Sequence, residues 1–189
     1  MIIRATQSPD DRKFIELIIY VARRSEDDSK YGAVKLNKIL FNADFLAYQV
    51  LGRSITGHPY KKLPNGPAPK AILPILKKLK ESAEVKEEER SYYNRTQKRV
   101  VALREPDLGV FSAQEIVLID DVLVSLRDGN ATQVSDLSHE FVGWKAANLN
   151  EEIPYQTALI DEKPEVTESD ILFAESLRAT ACDCLGIRS

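Results

Sequence analysis

Cysteine, histidine and tryptophan are all scarce in this chain. Its two cysteines, Cys182 and Cys184, sit two apart near the C-terminal end. On a helix such positions do not face each other, so a disulfide between them is not expected, and the usage fits a reducing cytoplasm. Two histidines, His58 and His139, are thin material for metal or proton chemistry. A four-ligand metal site would have to combine both with both cysteines, and nothing in the sequence brings them together. No apolar run approaches the roughly 18 residues that would span a bilayer. The opening Met-Ile-Ile-Arg-Ala-Thr-Gln-Ser-Pro lacks the charged and apolar blocks of a signal peptide. We therefore expect a cytoplasmic protein with no membrane partner. A phosphate-cradling glycine loop, a His-Glu-x-x-His pair and a Cys-x-x-Cys pair are missing too. Neither an enzyme nor a cofactor is expected.

What is present is enough to fold. Apolar residues make up 43% of 189, which suits one domain of ordinary size, here 1–160, with a C-terminal helix packed on it or appended over 161–189. The net charge of −3 hides an asymmetry. Residues 61–104 carry 12 basic and 5 acidic side chains, whereas residues 105–189 carry 5 and 17. Two electrostatic faces, or simply solvated helix surfaces, would both produce this.

The first helix is announced by Ser8 as cap, Pro9 at the first helical position and Asp10 and Asp11 at the positive end of the dipole. Phe14, Leu17, Ile18 and Val21 form its stripe. A second helix spans about Val34 to Leu51 and ends at Gly52. It is apolar over so much of its surface that it must be central, leaving Lys35, Lys38 and Asp44 to a remaining polar face. Pro67 and Pro69 suit the start of a third helix with Leu73, Leu76 and Leu79 inward, while Pro74 predicts a kink or a late start. Residues 83–88 and 98–103 read as the arms of a β-hairpin. Ser112-Ala-Gln-Glu115 is a capping box for a fourth helix lined by Ile116, Ile119, Leu123 and Leu126. Short helices follow near 131–137 and 139–147, and a last one opens at Thr167. The fold class is mainly α with a small β-hairpin (α+β): a helical domain whose middle segment, helices followed by a basic hairpin, has a winged-helix outline.

Arg90, Arg95, Lys98 and Arg99 on that hairpin, interleaved with tyrosines, are candidate phosphate contacts, which makes operator DNA one candidate partner. The alternative is a hairpin that solvates itself or docks on a protein. Asp136, Ser138 and His139 suggest a catalytic triad, but triad members normally meet from separate segments. We expect instead that Ser138 caps the helix carrying Phe141 and Trp144, with His139 packing locally.

The order of several short motifs carries more. Lys35-Leu-Asn-Lys-Ile-Leu-Phe41, then Gly52-Arg-Ser-Ile-Thr-Gly57, then Tyr60-Lys-Lys-Leu-Pro-Asn-Gly-Pro67, then Leu137-Ser-His-Glu-Phe-Val-Gly-Trp144 and Ile153-Pro-Tyr155 resemble the Panacea domain, the SocA-like antitoxin family, over about residues 10–160. Asn42-Ala-Asp44 departs from the aromatic run often seen there, and the helix from Thr167 lies beyond the resemblance. The resemblance implies an antitoxin of bacterial or prophage origin. Family members stand beside unrelated toxins, neutralise them by direct binding, and in some cases act as protease adaptors. A cognate toxin is the implied partner, with a second copy of the chain as another. Gly66 and Pro67 would make a tight turn into a helix, and Trp144 would pack in the core. Lys35, Lys38 and His139, the polar motif members, are candidates for partner contact or for holding the fold.

Overall fold

A computed structural model describes residues 8–92 and 95–160. Helix α1 runs over Asp11–Arg24 and α2 over Ala33–Leu51. The cap of α1 is Asp10, not Ser8: its carboxylate accepts from the Lys13 amide at 3.0 Å, and Pro9 lies outside the helix. The stripe of α1 is buried as expected, at Phe14, Leu17, Ile18 and Val21. Gly52 ends α2 in the left-handed region at φ 76°.

The sequence reading fails at the polar face of α2. There is none at the charged residues: Lys35, Lys38 and Asp44 are all buried alongside Leu36, Ile39, Leu40, Phe41 and Phe45. A charge inside a core is tolerated only where hydrogen-bonding partners replace water. Asp44 accepts from the Thr56 amide at 2.7 Å, the Thr56 hydroxyl at 2.5 Å and the Tyr60 hydroxyl at 2.8 Å. Burial nevertheless raises its carboxyl above the usual aspartate range, and it raises the Tyr60 phenol as well. Around this site Phe41, Phe45, Tyr60, Phe141 and Tyr155 pack ring against ring, with Phe41–Phe45 at 4.2 Å and Phe45–Tyr155 at 4.7 Å. Such pairs add about 0.5–1.5 kcal/mol each beyond their area burial.

Two short strands, β1 (Tyr60–Lys61) and β2 (Ala68–Pro69), bracket a loop. Pro69 therefore stands in an extended segment and does not start a helix. It is tolerated because β2 is an edge strand of a three-stranded sheet with β1 at its centre, where a missing amide donor costs little. Helix α3 starts late, at Ile72–Glu81, which leaves Pro74 in its first turn. Ile72, Ile75 and Leu79 face inward, and Leu73, expected inside, is 76% exposed.

Strands β3 (Val85–Tyr92) and β4 (Arg95–Ala102) form the hairpin with longer arms than the sequence suggested, in a register that pairs Val85 with Ala102 and Tyr92 with Arg95. Helix α4 (Ala113–Leu126) opens with the expected capping box, and α5 (Ala131–His139) has a second one, from Asn130 and Gln133. Helix α6 (Val142–Ala146) and β5 (Glu152–Ile153) follow, and β5 pairs with β1 before a 3-10 turn at Tyr155–Leu159. The helix expected from Thr167, with Cys182 and Cys184, lies outside the described residues. Among the described residues no helix is long and apolar enough to cross a membrane.

The hairpin is fastened by one buried cation. Arg99 donates to the carbonyls of Ser25, Glu26 and Asp28 at 2.8–3.1 Å, in the turn after α1, and its guanidinium lies 5.4 Å from the Tyr31 ring centroid. Hydrogen bonds from a charged group contribute about 1.5–3 kcal/mol each, and carbonyls left buried without a donor cost a similar amount. Arg99→Met should thus lower the unfolding free energy by about 3 kcal/mol or more, read as a fall in the urea midpoint. An unchanged midpoint would mean that the hairpin is held by its apolar contacts alone.

Candidate functional site

The motif segments are scattered along the chain, yet they converge on the loop 62–67 between β1 and β2. The backbone of Lys62 is fixed on the β5 side, donating to Glu151 O and accepting from the Asn150 amide, both at 2.9 Å. Trp144 of α6 reaches Leu63 O through its indole N–H at 3.4 Å. Ser135 of α5 donates to Asn65 O at 3.1 Å. The Gly66 amide closes a turn on Leu63 O at 2.9 Å. Lys38 of α2 donates from its buried Nζ to Pro67 O at 2.9 Å. Three side chains from three helices thus grip one six-residue loop, while Pro64 and Asn65 at its tip stay exposed.

Gly66 is the pivot. Its φ of +91° suits glycine, and a methyl group there would stand 2.3 Å from Ser138 Oγ and 2.6 Å from Lys38 Nζ. Those two atoms are consequently within about 5 Å of each other across the glycine. The Gly-Pro dipeptide is needed twice over, for its backbone conformation and for the room it leaves. Ser138 is not the helix cap that the sequence suggested. It sits in the last turn of α5 and donates to Ser135 O at 2.7 Å, and the residue capping α6 is Phe141.

Lys38 is the unusual group of the set. It is 2% exposed, and Pro67 O is its one hydrogen-bond acceptor among the described residues. Burial alone pulls its ammonium down to about 7. Lys35, one turn earlier, is equally buried but well furnished: Asp28 Oδ2 and Arg127 O at 2.6 Å, and Gly129 O at 3.0 Å. It ties the turn after α1 to the carbonyl end of α4, where a cation is favoured. A pocket of about 370 Å³ opens beside it, with Arg23, Arg24, Asp27 and Arg127 over Ile39 and Leu123. Its lining carries both signs of charge.

Trp144 is half-buried against the core. The His139 imidazole stacks on its ring at 4.0 Å with 19° between planes, and Lys62 Nζ lies 4.1 Å from its centroid. The indole thus meets an imidazole and an ammonium at once. Lys62 also donates to Ala147 O at 2.9 Å. His58, the other histidine, is buried against Phe14 at 4.4 Å. Burial lowers its imidazole, partly opposed by Asp11, whose Oδ1 is 3.1 Å from Nε2. No group of three or more metal-ligating side chains forms among the described residues.

The basic hairpin offers less to phosphates than its composition suggested. Arg99 points inward, onto the turn after α1. Arg90 faces Glu88 at 3.2 Å, and Lys98 lies 3.5 Å from Glu87 and 3.8 Å from Glu89. Arg95 lies in β4, and its side chain is outside the described residues.

Of the sites named from sequence, Lys35, Lys38, Gly66, Pro67 and Trp144 are all internal or half-buried parts of the packing. Ser135, Lys62 and Asp44 were missed as participants. One signal was available: a helix as apolar as α2 is covered over most of its surface, which draws charged residues in with it.

Two measurements follow from the geometry. Gly66→Ala combines backbone strain with two clashes and should cost about 2–4 kcal/mol, read by urea unfolding followed on the single tryptophan, Trp144. A cost below about 0.5 kcal/mol would mean that the loop is free to relax. Lys38 carries a pH signature. Its folded value is about 7, whereas an unfolded lysine ionises near 10.4. Between these the unfolded chain holds the extra proton, so stability should climb as pH rises from about 7 to about 10 and be flat in this contribution below 7. Lys38→Met should remove that climb, and equal pH slopes for the two proteins would refute it.

The comparisons with known proteins agree with this geometry. The family model described as "Antitoxin SocA-like, Panacea domain" matches residues 36–145, from α2 through Trp144. Curated proteins and solved structures returned no match. The matched span covers most of the described fold and every side chain of the clasp, Lys38, Ser135, Ser138 and Trp144 included, and the chain belongs to the SocA-like antitoxin, Panacea-domain family.

Proposed function

We propose that this chain is the antitoxin of a toxin–antitoxin pair and that it neutralises its toxin by direct binding. Family membership over residues 36–145 carries the reading. The geometry supports it in one respect. The motif residues hold a loop whose backbone is fixed at almost every position and whose tip, Pro64–Asn65, is free. A preorganised loop on a rigid scaffold is the usual form of a recognition element, because little entropy remains to be lost on binding. On this reading Lys35, Lys38 and His139 serve the partner indirectly, by shaping the surface. Delivery of the bound toxin to a protease is the finer version of the same activity.

The test is co-expression with the product of the adjacent gene, followed by size-exclusion chromatography with mass determination. The expected result is a co-eluting pair and rescue of growth from a neighbour that is toxic alone. A toxic neighbour that neither binds nor is rescued overturns the reading. The mass of the free chain separates a monomer from a dimer in the same run. Asn65→Arg alters the loop tip without touching its backbone bonds. It should weaken co-elution at least tenfold, about 1.4 kcal/mol, with the thermal midpoint unmoved.

A further inference from the structure

The amine of Lys38 sits where α2, the loop 62–67 and α5 meet, with Pro67 O as its one hydrogen-bond acceptor among the described residues. Ser138 Oγ, across Gly66, donates to Ser135 O and makes no hydrogen bond with the amine. Among the described residues no carboxylate stands against the amine. On its own helix, Lys35 is engaged with Asp28 at one end and Asp44 with Thr56 and Tyr60 at the other. On the loop, Lys62 is committed to Ala147 O and the Trp144 ring. On α5, Asp136 is exposed to solvent, and His139 is turned onto Trp144. Tyr60 of β1 donates to Leu40 O and Asp44.

We propose that Lys38 is a proton-operated latch on the 62–67 loop: the neutral amine holds the clasped form, and proton uptake loosens it. The asymmetry comes from counting hydrogen bonds. A neutral amine has two N–H donors, and one is satisfied by Pro67 O. An ammonium has three donors and a full charge, and the same cavity still offers one carbonyl. The remaining donors are satisfied only if water enters or the loop backs away from α2. Because the same loop is bonded to Trp144 through Leu63 O, movement at Pro67 is transmitted to the indole. The fall of the Lys38 ammonium to about 7 sets the working range near neutrality. This inference stands whether or not the antitoxin reading does, since it concerns the shape of the loop and not what binds it.

The experiment reads the amine and the loop together in the full chain. Lysine ¹⁵Nζ NMR follows the protonation of Lys38 between pH 5.5 and 9. Fluorescence of Trp144, the single tryptophan, follows the loop in parallel. The expected result is one lysine titrating near pH 7, a shift in tryptophan emission with the same midpoint, and loss of that shift in Lys38→Met but not in His139→Gln. His139 is the necessary control, because a protonated imidazole stacked on an indole changes its emission by itself. Three results overturn the latch: a Lys38 that titrates near pH 10, an emission midpoint that disappears with His139→Gln and survives Lys38→Met, or an emission that does not change across the range. If Lys38→Met fails to fold, the exchange rate of the Gly66 amide in the unaltered protein, corrected for intrinsic pH dependence, takes its place. It should rise at least tenfold from pH 8 to pH 6, and a constant corrected rate refutes the latch.

Discussion

The fold depends on the burial of charge in α2. Lys35, Lys38 and Asp44 lie on covered faces of the helix, so each must be met by polar groups brought from elsewhere. Lys35 collects Asp28 and the carbonyls of Arg127 and Gly129. Lys38 collects Pro67 O. Asp44 collects the amide and hydroxyl of Thr56 and the phenol of Tyr60. These partners lie in the turn after α1, at the end of α4, in the loop 62–67, in β1 and in the segment before it. Their positions around α2 are therefore fixed by its charges as much as by its apolar stripe. Taking away one partner leaves a buried charge uncompensated, which is among the few single changes that cost several kcal/mol.

Arg99 repeats the device from the hairpin, gathering three carbonyls of the turn that also supplies Asp28 to Lys35. The turn at 25–28 is thus held from two sides by two cations. A helix C-terminus presents carbonyls without amide partners, and a buried cation is an efficient way to satisfy several at once. Lys38 differs in having a single acceptor, and the physical consequence is that its charge is much less at home than those of Lys35 and Arg99. Three buried cations in one small domain thus behave differently because of the number of carbonyls each finds.

Much of this was readable from the chain. Periodicity placed α1, α2, the hairpin and α4, and the two markers with the firmest stereochemistry, Gly52 and the Ser112–Glu115 box, were right in detail. The failures share a cause. Local pattern reports which residues are apolar, but not which polar ones have partners far along the chain. Lys35 meets a carbonyl 92 residues away and Arg99 one 74 residues away, and no window reveals either. The basic count of 61–104 suggested a phosphate-binding strip for the same reason: it could not show Arg99 turned inward or Lys98 beside Glu87. At α3 the error was one of phase. The apolar face runs through Ile72, Ile75, Leu76 and Leu79, and Leu73 stands outside it.

The clasp separates the residues that hold the shape from those that stand outside it. Its recognisable residues, Lys35, Lys38, Gly66, Pro67, Ser138 and Trp144, are spent on the interior or on the grip around one loop. Constraint on a buried ammonium, a left-handed glycine and a stacked indole is severe, because each is fixed by several neighbours together. Constraint on Pro64, Asn65 or Leu73 is slight, since nothing inside depends on their side chains. A molecule built this way keeps its shape while its exposed residues vary. Shape supplies preorganisation, which lowers the entropic cost of any binding event. Under that division of labour, the motif accounts for the fold, and the proposed recognition of a partner falls to the exposed residues the motif leaves out.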